Sequence, residues 1–271
     1  MNSIVAAKAR RFPTLLVVAM VAALTACATP PTDPAARADF EATNDPLEPM
    51  NRQIFNFNQF LDTYLIKPVA QGYRKVLPGF GRDAIRNFLN NLGEPVIFAN
   101  NMMQGEFKLA HDTFARFLFN STFGVGGIFD LASDNGLERQ TGDFGQTLYV
   151  WGVPEGPYLV LPIFGPSNPR DAVGMGVDSQ MDPWGYLASA YGAATSATLG
   201  RYAASGVDLR SRNIETLDDI QRNAIDYYAQ IRSLYRQRRA RDLRHGRPAP
   251  MPNFDTPADT TTPAPAPAAA H

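Results

Sequence analysis

The sequence predicts a mainly α-helical fold with short extended segments near residues 147–162. Between residues 50 and 243, apolar residues recur at steps of three and four, which is the period of an amphipathic helix. Proline and glycine separate these periodic segments from one another. Only 147–152 and 158–162 combine β-branched and aromatic residues without that period, so we expect short strands or extended chain there.

The N-terminal segment has the three parts of a secretory signal peptide, which we place at 1–26. Basic residues precede a short apolar run, and small residues lead into Leu24-Thr25-Ala26-Cys27. This motif resembles a bacterial lipobox, in which the thiol of Cys27 receives a diacylglycerol and the new amine is acylated after cleavage. Cys27 is the only cysteine, so the chain has no intramolecular disulfide. The alternative is an unmodified cysteine beside an ordinary cleavage site.

The expected mature chain has three parts. Residues 27–43 are a lipidated flexible tether, because the prolines at 30, 31 and 34 favour extended chain. Residues 44–245 are a helical membrane-associated domain, and 246–271 are a disordered tail rich in proline, alanine and threonine. Ala28 stands where an aspartate in bacterial lipoproteins resembles an inner-membrane retention signal, which favours the outer membrane.

The charge of the mature chain gives no indication of a nucleic-acid partner. Removing the three basic residues of 1–26 from the 25 in the chain leaves 22 against 26 acidic residues, a formal charge of −4. A basic excess of the kind that attracts nucleic acid or anionic lipid in general is therefore missing.

The first predicted helix, 50–65, carries an unusually broad apolar stripe. Asparagine or aspartate ahead of proline in 44–49 is a helix-start signature, and Pro68 starts the next turn. A second short helix covers 69–77 and closes at Pro78-Gly79. The stripe consists of Ile54, Phe55, Phe57, Phe60, Leu61, Tyr64 and Leu65.

The next segment, 81–103, is helical in pattern, and we expect Gly93-Glu94-Pro95 to break it. Another helix covers 104–120. The glycine-rich segment 123–129 lacks the lysine and the preceding strand of a phosphate loop, so it predicts a tight turn with close backbone packing.

The second half of the chain is less regular. We expect a polar loop at 130–145 and, because of Gly174 and Gly176, at best a weak helix at 170–178. The segment 184–204 is rich in small residues that suit close helix contact, and it is too weakly apolar for a membrane span.

The clearest helix is 213–243, with acidic residues at its start and arginines at its end, as the helix dipole favours. The arginine cluster is either a solvated helix end or a site for lipid headgroups or an acidic partner.

Little catalytic chemistry is visible. The motifs of zinc proteases and serine hydrolases are missing, no cluster of metal ligands occurs, and no cofactor is indicated. His111 is the one histidine far from the predicted tail, and its neighbour Asp112 points away from it on a helix. We therefore predict that the protein is not an enzyme.

Two features remain for function. The phenylalanines in broad helical stripes are core residues by default, or else a membrane-facing belt. Arg170, Asp171 and Asp178 lie among glycines, and they are either surface loop charges or candidates for lining a polar passage.

Several motifs together resemble the VacJ/MlaA family of outer-membrane lipoproteins over roughly 44–235. Each motif is weak alone, and the combination is specific. The proline-rich tail lies outside the resemblance. The matching motifs are Asn44-Asp45-Pro46-Leu47-Glu48-Pro49-Met50-Asn51-Arg52, Phe55-Asn56-Phe57-Asn58, Arg116-Phe117, 120–130, Asp143-Phe144-Gly145-Gln146-Thr147-Leu148, 156–162 and Arg170-Asp171.

The resemblance implies a ring-like bundle of amphipathic helices lying in the inner leaflet of the outer membrane of a Gram-negative bacterium, around a polar channel. Family members remove mislocalised phospholipid from the outer leaflet and pass it to a periplasmic carrier protein, beside trimeric porins. Lipid asymmetry of the cell envelope is thereby maintained. Under this resemblance Arg170, Asp171 and Asp178 contact the headgroup, and Asn56, Phe57 and Asn58 influence whether the passage is open.

Two other classes of function remain. A lipid-anchored structural or adhesion lipoprotein would bind no lipid beyond its anchor. A lipoprotein phospholipase would release free fatty acid in a reaction that depends on His111.

Overall fold

The computed structural model describes residues 32–33, 43–192 and 194–248. The predicted signal peptide 1–26, the lipidation site Cys27, most of the tether and the tail beyond residue 248 lie outside the described residues. The predicted helical domain, 44–245, lies within them apart from residue 193.

The described residues form a chain of helices with one small hairpin. The hairpin is antiparallel and pairs Leu159 with Ser167. The elements are α1 (Glu48–Leu61), a π-helical turn (Asp62–Ile66), α2 (Lys67–Val76), α3 (Gly79–Met103), α4 (Phe107–Thr122), α5 (Leu131–Asp134), α6 (Phe144–Val150), β1 (Leu159–Leu161), β2 (Gly165–Ser167), α7 (Pro169–Met181), α8 (Pro183–Ser189), α9 (Ala194–Arg212), α10 (Ile214–Asn223) and α11 (Tyr227–Asp242).

The mainly α-helical prediction is confirmed, and so is the extended chain at 158–162. In the segment 147–152, residues 147–150 are helical and 151–152 form a turn, so the expectation of a strand or extended chain there is wrong. Asp143 explains the helix: its side chain accepts from the Gln146 N–H at 2.8 Å, while the Gln146 side chain accepts from the Asp143 N–H at 2.9 Å. This capping box starts α6 despite the β-branched residues that follow.

The expected break at Gly93-Glu94-Pro95 does not occur, because α3 continues through it. Pro95 lacks the N–H that would bond the carbonyl one turn earlier. The indole of Trp184 donates to the nearby Leu92 carbonyl at 2.7 Å, and Glu94 is buried against Arg116 of α4. Tertiary contacts therefore hold the helix across its proline.

The expectation of at best a weak helix at 170–178 is also wrong, because α7 is a regular helix of 13 residues. Asn168 caps its first turn by accepting from the Asp171 N–H at 2.8 Å. A side chain at Gly174 would place its Cβ 2.4 Å from the Gly145 nitrogen. The glycine is thus required for close packing of α6 on α7, which outweighs its low helix propensity.

The predicted single helix 213–243 is two helices. Ala224 adopts extended backbone, and Asp226 starts α11 by accepting from the Ala229 N–H at 3.1 Å. The small-residue segment 184–204 likewise forms two helices, α8 and the start of α9. None of the helices in the described residues has the length and apolar character needed to cross a membrane.

The prediction of a tight turn at 123–129 is confirmed. Val125, Gly126 and Gly127 have positive φ angles of 55°, 70° and 94°. A Cβ on Gly127 would lie 2.4 Å from the Cβ of Asn91, so the turn packs directly on α3.

Polar side-chain contacts connect the elements in a closed circuit, which is the ring-like arrangement that the family resemblance implies. Each contact joins an element to the next one around the ring. The circuit begins at α1, where Asn58 contacts Leu161 and Ile163 of the hairpin, and it continues from Asn168 after β2 to Tyr235 of α11 and from Arg239 of α11 to Asp143 and Asp171. It then passes from Thr147 of α6 to Asn100 of α3, and from Leu92 of α3 to Trp184 of α8. It closes through α9, where Arg201 contacts Asp182 and Arg210 contacts Asp62 of the π-helical turn that follows α1.

Burial is inverted relative to a water-soluble protein. Most of the fully buried large side chains in the described residues are polar or charged, including Arg116, Glu94, Asn51 and Asn100. Phe55 is the one buried phenylalanine among the residues that the structure describes. We call the exposed phenylalanines the aromatic belt: Phe57, Phe60, Phe80, Phe88, Phe107, Phe114, Phe123, Phe129 and Phe164.

The default expectation that the phenylalanines form the core is therefore wrong for most of them. The alternative, a membrane-facing belt, agrees with their exposure. Large apolar side chains are normally the most buried residues of a soluble domain, so such an exterior marks contact with an apolar phase or a partner.

Asn51 gives a direct test of this polar core. It is fully buried, donates to Asp45 at 2.8 Å and to the Tyr158 carbonyl at 3.0 Å, and accepts from the Val160 N–H at 2.9 Å. Asn51→Ala should lower the free energy of unfolding by about 3 kcal/mol, because three hydrogen bonds are lost and buried groups are left unpaired. Urea unfolding in detergent, followed by circular dichroism, measures this change. The exposed neighbour Gln53→Ala is the control, and equal stability of the two variants would contradict the structural role.

Candidate functional site

A cavity of about 460 Å³, which we call the polar cavity because charged side chains line it, lies within the described residues. It is bounded by β2, α7, α9, α11 and the residue that caps α6. Both acidic and basic side chains line it, together with tyrosines and one methionine. The lining residues are Asp143, Pro166, Ser167, Asp171, Met175, Asp178, Tyr202, Tyr235, Arg238, Arg239 and Asp242.

Arg239 joins two carboxylates in the wall of this cavity. Its Nη1 lies 2.6 Å from Asp143 Oδ2, and its Nη2 lies 2.9 Å from Asp143 Oδ1 and 2.7 Å from Asp171 Oδ1. Burial alone would lower the pKa of Arg239, but the hydrogen bonds and charges of Asp143 and Asp171 outweigh it and raise the pKa. The guanidinium therefore stays charged and fixes α11 against α6 and α7.

Asp171 is surrounded by donors. It accepts from Asn168 Nδ2 at 2.8 Å, from the Tyr235 hydroxyl at 3.1 Å and from Arg170 Nε at 3.1 Å, in addition to Arg239. Burial would raise the pKa of Asp171, yet the hydrogen bonds and positive charges of Arg239 and Arg170 hold it below its ordinary value. The carboxylate is thus a fixed negative charge.

Asp178 has the opposite environment. It accepts from Asn100 Nδ2 at 2.7 Å and from the Phe144 N–H at 3.0 Å. Burial is the largest influence, and it raises the pKa of Asp178 despite these hydrogen bonds. The two predicted carboxylates therefore lie in one cavity with opposite shifts of their pKa values.

The third predicted channel residue, Arg170, does not line the cavity. It is buried behind Asp171, and its guanidinium lies 5.4 Å from the centre of the Tyr149 ring. The structure therefore brings Asp171 and Asp178 together in the wall and places Arg170 behind it as a supporting charge.

The predicted gating residues also separate. Asn58 ties α1 to the hairpin, since it donates to the Leu161 carbonyl at 2.9 Å and accepts from the Ile163 N–H at 2.7 Å. Asn56 and Phe57 are exposed. Of the three, Asn58 is thus the one that couples the first helix to the hairpin beside the cavity.

Sequence reasoning missed Asp143, Tyr235 and Arg239 as site residues. Arg239 was one arginine among several at a helix end, and nothing in its spacing separates it from its neighbours. Asp143 carried a signal, because an aspartate three residues before a glutamine is a capping pattern.

His111 lies on α4 and is exposed, outside the lining of the polar cavity. Contrary to the expectation that its neighbour points away, its Nδ1 lies 3.2 Å from Asp112 Oδ1. Lys108 also binds Asp112, at 2.8 Å, so this group is a surface ion cluster.

Comparisons with known proteins agree on one family. The model of the family described as "MlaA lipoprotein" matches residues 43–242. A Haemophilus influenzae protein named "Intermembrane phospholipid transport system lipoprotein MlaA" is 36% identical over 200 residues, which are 72% of this chain and 77% of the relative. The Escherichia coli K12 protein of the same name is 32% identical over 219 residues, which are 79% of this chain and 82% of the relative.

One solved structure is similar over almost its whole length. It is described as "Structural basis for maintenance of bacterial outer membrane lipid asymmetry" and superposes with a TM-score of 0.66 at 33% sequence identity. The match covers 73% of this chain and 98% of that chain.

The opposite pKa shifts predict opposite pH dependence for Asp171→Asn and Asp178→Asn. Because the pKa of Asp171 is lowered by folding, its stabilisation is present above the unfolded pKa and is lost as pH falls through the folded pKa. Asp171→Asn should therefore be more destabilising near about pH 7 than near about pH 3, values that lie on either side of the ordinary aspartate pKa.

Because the pKa of Asp178 is raised, its stabilisation is present at low pH and is lost as pH rises through the folded pKa. Asp178→Asn should accordingly become less destabilising, or even stabilising, as the pH rises from about 3 to about 7. Urea unfolding of both variants in detergent measures the two trends. Parallel trends for the two variants would show that the cavity electrostatics are wrongly assigned.

Proposed function

This chain belongs to the MlaA lipoprotein family, and we propose that it removes phospholipid from the outer leaflet of the outer membrane through the polar cavity and passes it to a periplasmic carrier. The relatives' names connect them with intermembrane phospholipid transport, and the similar solved structure is connected with outer-membrane lipid asymmetry. In this proposal the protein is a transport lipoprotein and not an enzyme.

The single observation that carries the proposal is the inverted distribution of polar and apolar side chains. The aromatic belt faces outward, whereas most of the fully buried large side chains are charged, amide or hydroxyl groups, and charged side chains line the cavity. A water-soluble protein would lose stability by exposing so much apolar surface, but a protein embedded in a leaflet gains from it. The helices are amphipathic elements that lie within one leaflet.

The cavity supplies what a phospholipid headgroup needs while it crosses this apolar layer. A charged group in hydrocarbon loses its hydration, and polar groups fixed in a wall replace part of it. Asp171, Asp178 and Arg239 provide such groups near one another, and Tyr202 and Tyr235 provide amphipathic surface for the glycerol region.

The membrane anchor in this proposal is lipid on Cys27, followed by the flexible tether 27–43. A single acyl chain binds a membrane only marginally, whereas two or more chains hold a protein stably. The anchor places the ring at the inner leaflet of the outer membrane, with its periplasmic side open to the carrier. A trimeric porin is the proposed neighbour in the membrane, as the family resemblance implies.

The phospholipase alternative finds no support at His111. That residue is exposed in a surface ion cluster on α4, away from the polar cavity. A general base must reach both its nucleophile and the substrate. The structural or adhesion alternative leaves the polar cavity without a role.

Narrowing the cavity tests the transport proposal without removing a charge. Met175→Trp should raise the phospholipid exposed on the cell surface toward the level of cells that lack the protein, because the larger ring obstructs the passage. Labelling of intact cells with an amine-reactive reagent that does not cross the membrane measures surface phosphatidylethanolamine. Met102→Trp, at an exposed position outside the cavity, is the matched control. Unchanged surface lipid in Met175→Trp cells, at normal protein level, would refute the passage.

The anchor has its own test. Cys27→Ala should shift the protein from the outer-membrane fraction to the periplasmic or inner-membrane fraction and abolish lipid maintenance, because no acyl chain can be attached. Fractionation with immunoblotting measures the location, and mass spectrometry of the N-terminal peptide identifies the acyl groups of the wild type. Outer-membrane location of the variant with full activity would exclude lipidation as the anchor.

A further inference from the structure

Two further cavities lie along α8 and α9, one of them against α3 and the other against the end of α7, apart from the polar cavity. The two measure about 320 Å³ and about 490 Å³. They share Asp182, Gly185 and Thr198 in their linings, so they adjoin one another. None of the residues in either lining also lines the polar cavity.

The linings of the two cavities differ in chemistry. Both linings are mainly apolar, and the larger cavity differs from the smaller, apolar one because it also carries several hydroxyl and amide groups. The apolar side chains of the smaller cavity are Phe88, Leu89, Leu92, Trp184, Ala197 and Ala204, and the polar side chains of the larger cavity are Ser179, Gln180, Ser189 and Thr198. Together they form an amphipathic site.

An ion pair marks the border between the two cavities. Arg201 Nη2 lies 2.6 Å from Asp182 Oδ2, and Arg201 Nη1 donates to Asp182 Oδ1 at 3.0 Å. Asp182 lines both cavities, and Arg201 lines the apolar one. A ligand that fills both cavities therefore has its polar region beside this pair and its apolar region beyond it.

The site opens onto the apolar exterior of the protein. Phe88 lines the apolar cavity and is 42% exposed, while Leu199 and Tyr186 line the larger cavity and are both 64% exposed. The room comes from the small residues of 184–204, whose role the transport proposal leaves unexplained. At Gly200 a Cβ would meet nothing within 4 Å.

We propose that this amphipathic site binds a diacyl phospholipid of the surrounding leaflet, with an acyl chain in the apolar cavity and the glycerol phosphate region beside the hydroxyl and amide groups of the larger one. The proposal rests on the proposed function for the location of the protein in a leaflet. The amphipathic site is then a second, lateral lipid site, separate from the polar cavity. Phe88 belongs both to the lining of the apolar cavity and to the aromatic belt. In a leaflet the opening of the site would therefore be in direct contact with hydrocarbon.

Gly200→Leu is the variant that tests the site. It places a branched apolar side chain in the cavity lining, and leucine has higher helix propensity than glycine, so α9 should fold at least as well. Gly206→Leu is the matched control. It makes the same change on the same helix, and a Cβ at Gly206 would also meet no atom within 4 Å, but this position lies outside the lining of both cavities.

The experiment uses full-length protein reconstituted in vesicles of phosphatidylethanolamine and phosphatidylglycerol that contain a phosphatidylethanolamine with a photoactivatable acyl chain. After illumination, mass spectrometry maps the labelled peptides. Wild type and Gly206→Leu should be labelled on the peptides that contain 88–92 and 197–204. Labelling of these peptides in Gly200→Leu should be about tenfold lower than in the wild type, which corresponds to a loss of about 1.4 kcal/mol of binding free energy.

Equal labelling of the two leucine variants would overturn the proposal. Absence of label from these peptides in the wild type would also overturn it and would leave the apolar cavity to a protein segment. Met175→Trp separates the proposal from the transport function, because it should retain the labelling while it loses lipid maintenance. If the labelling persists although no variant affects surface phospholipid, the lateral site stands and the transport proposal fails.

Discussion

Hydrogen bonds between buried polar side chains hold most of the helices of this protein together, beside a small apolar cluster around Phe55 and Tyr228. Asn51, Asn100 and Thr147 are fully or almost fully buried, and each one bonds to a neighbouring element. Helices surrounded by lipid gain little by burying apolar side chains against each other, because hydrocarbon is already apolar. For a protein embedded in a leaflet, as we propose for this one, close packing and polar contacts supply the association energy, and the exterior is free to be aromatic.

This constraint also accounts for the cavity. The ring closes through polar contacts, and one of these, between Arg239 and the carboxylates of Asp143 and Asp171, lies in the cavity wall. The groups that close the ring are thus the groups that a lipid headgroup would meet. Structural stability and a polar passage follow from one set of side chains. The lateral site between α3 and α9 differs, because its apolar lining continues the aromatic belt inward.

Local sequence signals were reliable where the chain decides its own conformation. The turn at 123–129 follows from its glycines, and the hairpin strand at 159–161 follows from its composition and flanking turns. They failed at Pro95 and Gly174, where a distant residue decides. Trp184 donates to the Leu92 carbonyl of α3, close to Pro95. Gly174 must lack a side chain because the backbone of Gly145 packs against it. Neither relation is visible in the sequence, because the partners are many residues apart.

The sequence by itself determined the fold class, the family resemblance and the surplus of aromatic side chains, since periodicity, motifs and composition are local properties. Only the tertiary structure decided on which side of the helices those aromatic side chains lie. A helical stripe is equally apolar whether it faces a protein core or a lipid, and the difference arises from the polar groups that the ring encloses. The tertiary structure likewise distinguished Arg239 within a row of similar arginines, because it places that residue against Asp143 and Asp171, two carboxylates from other parts of the chain.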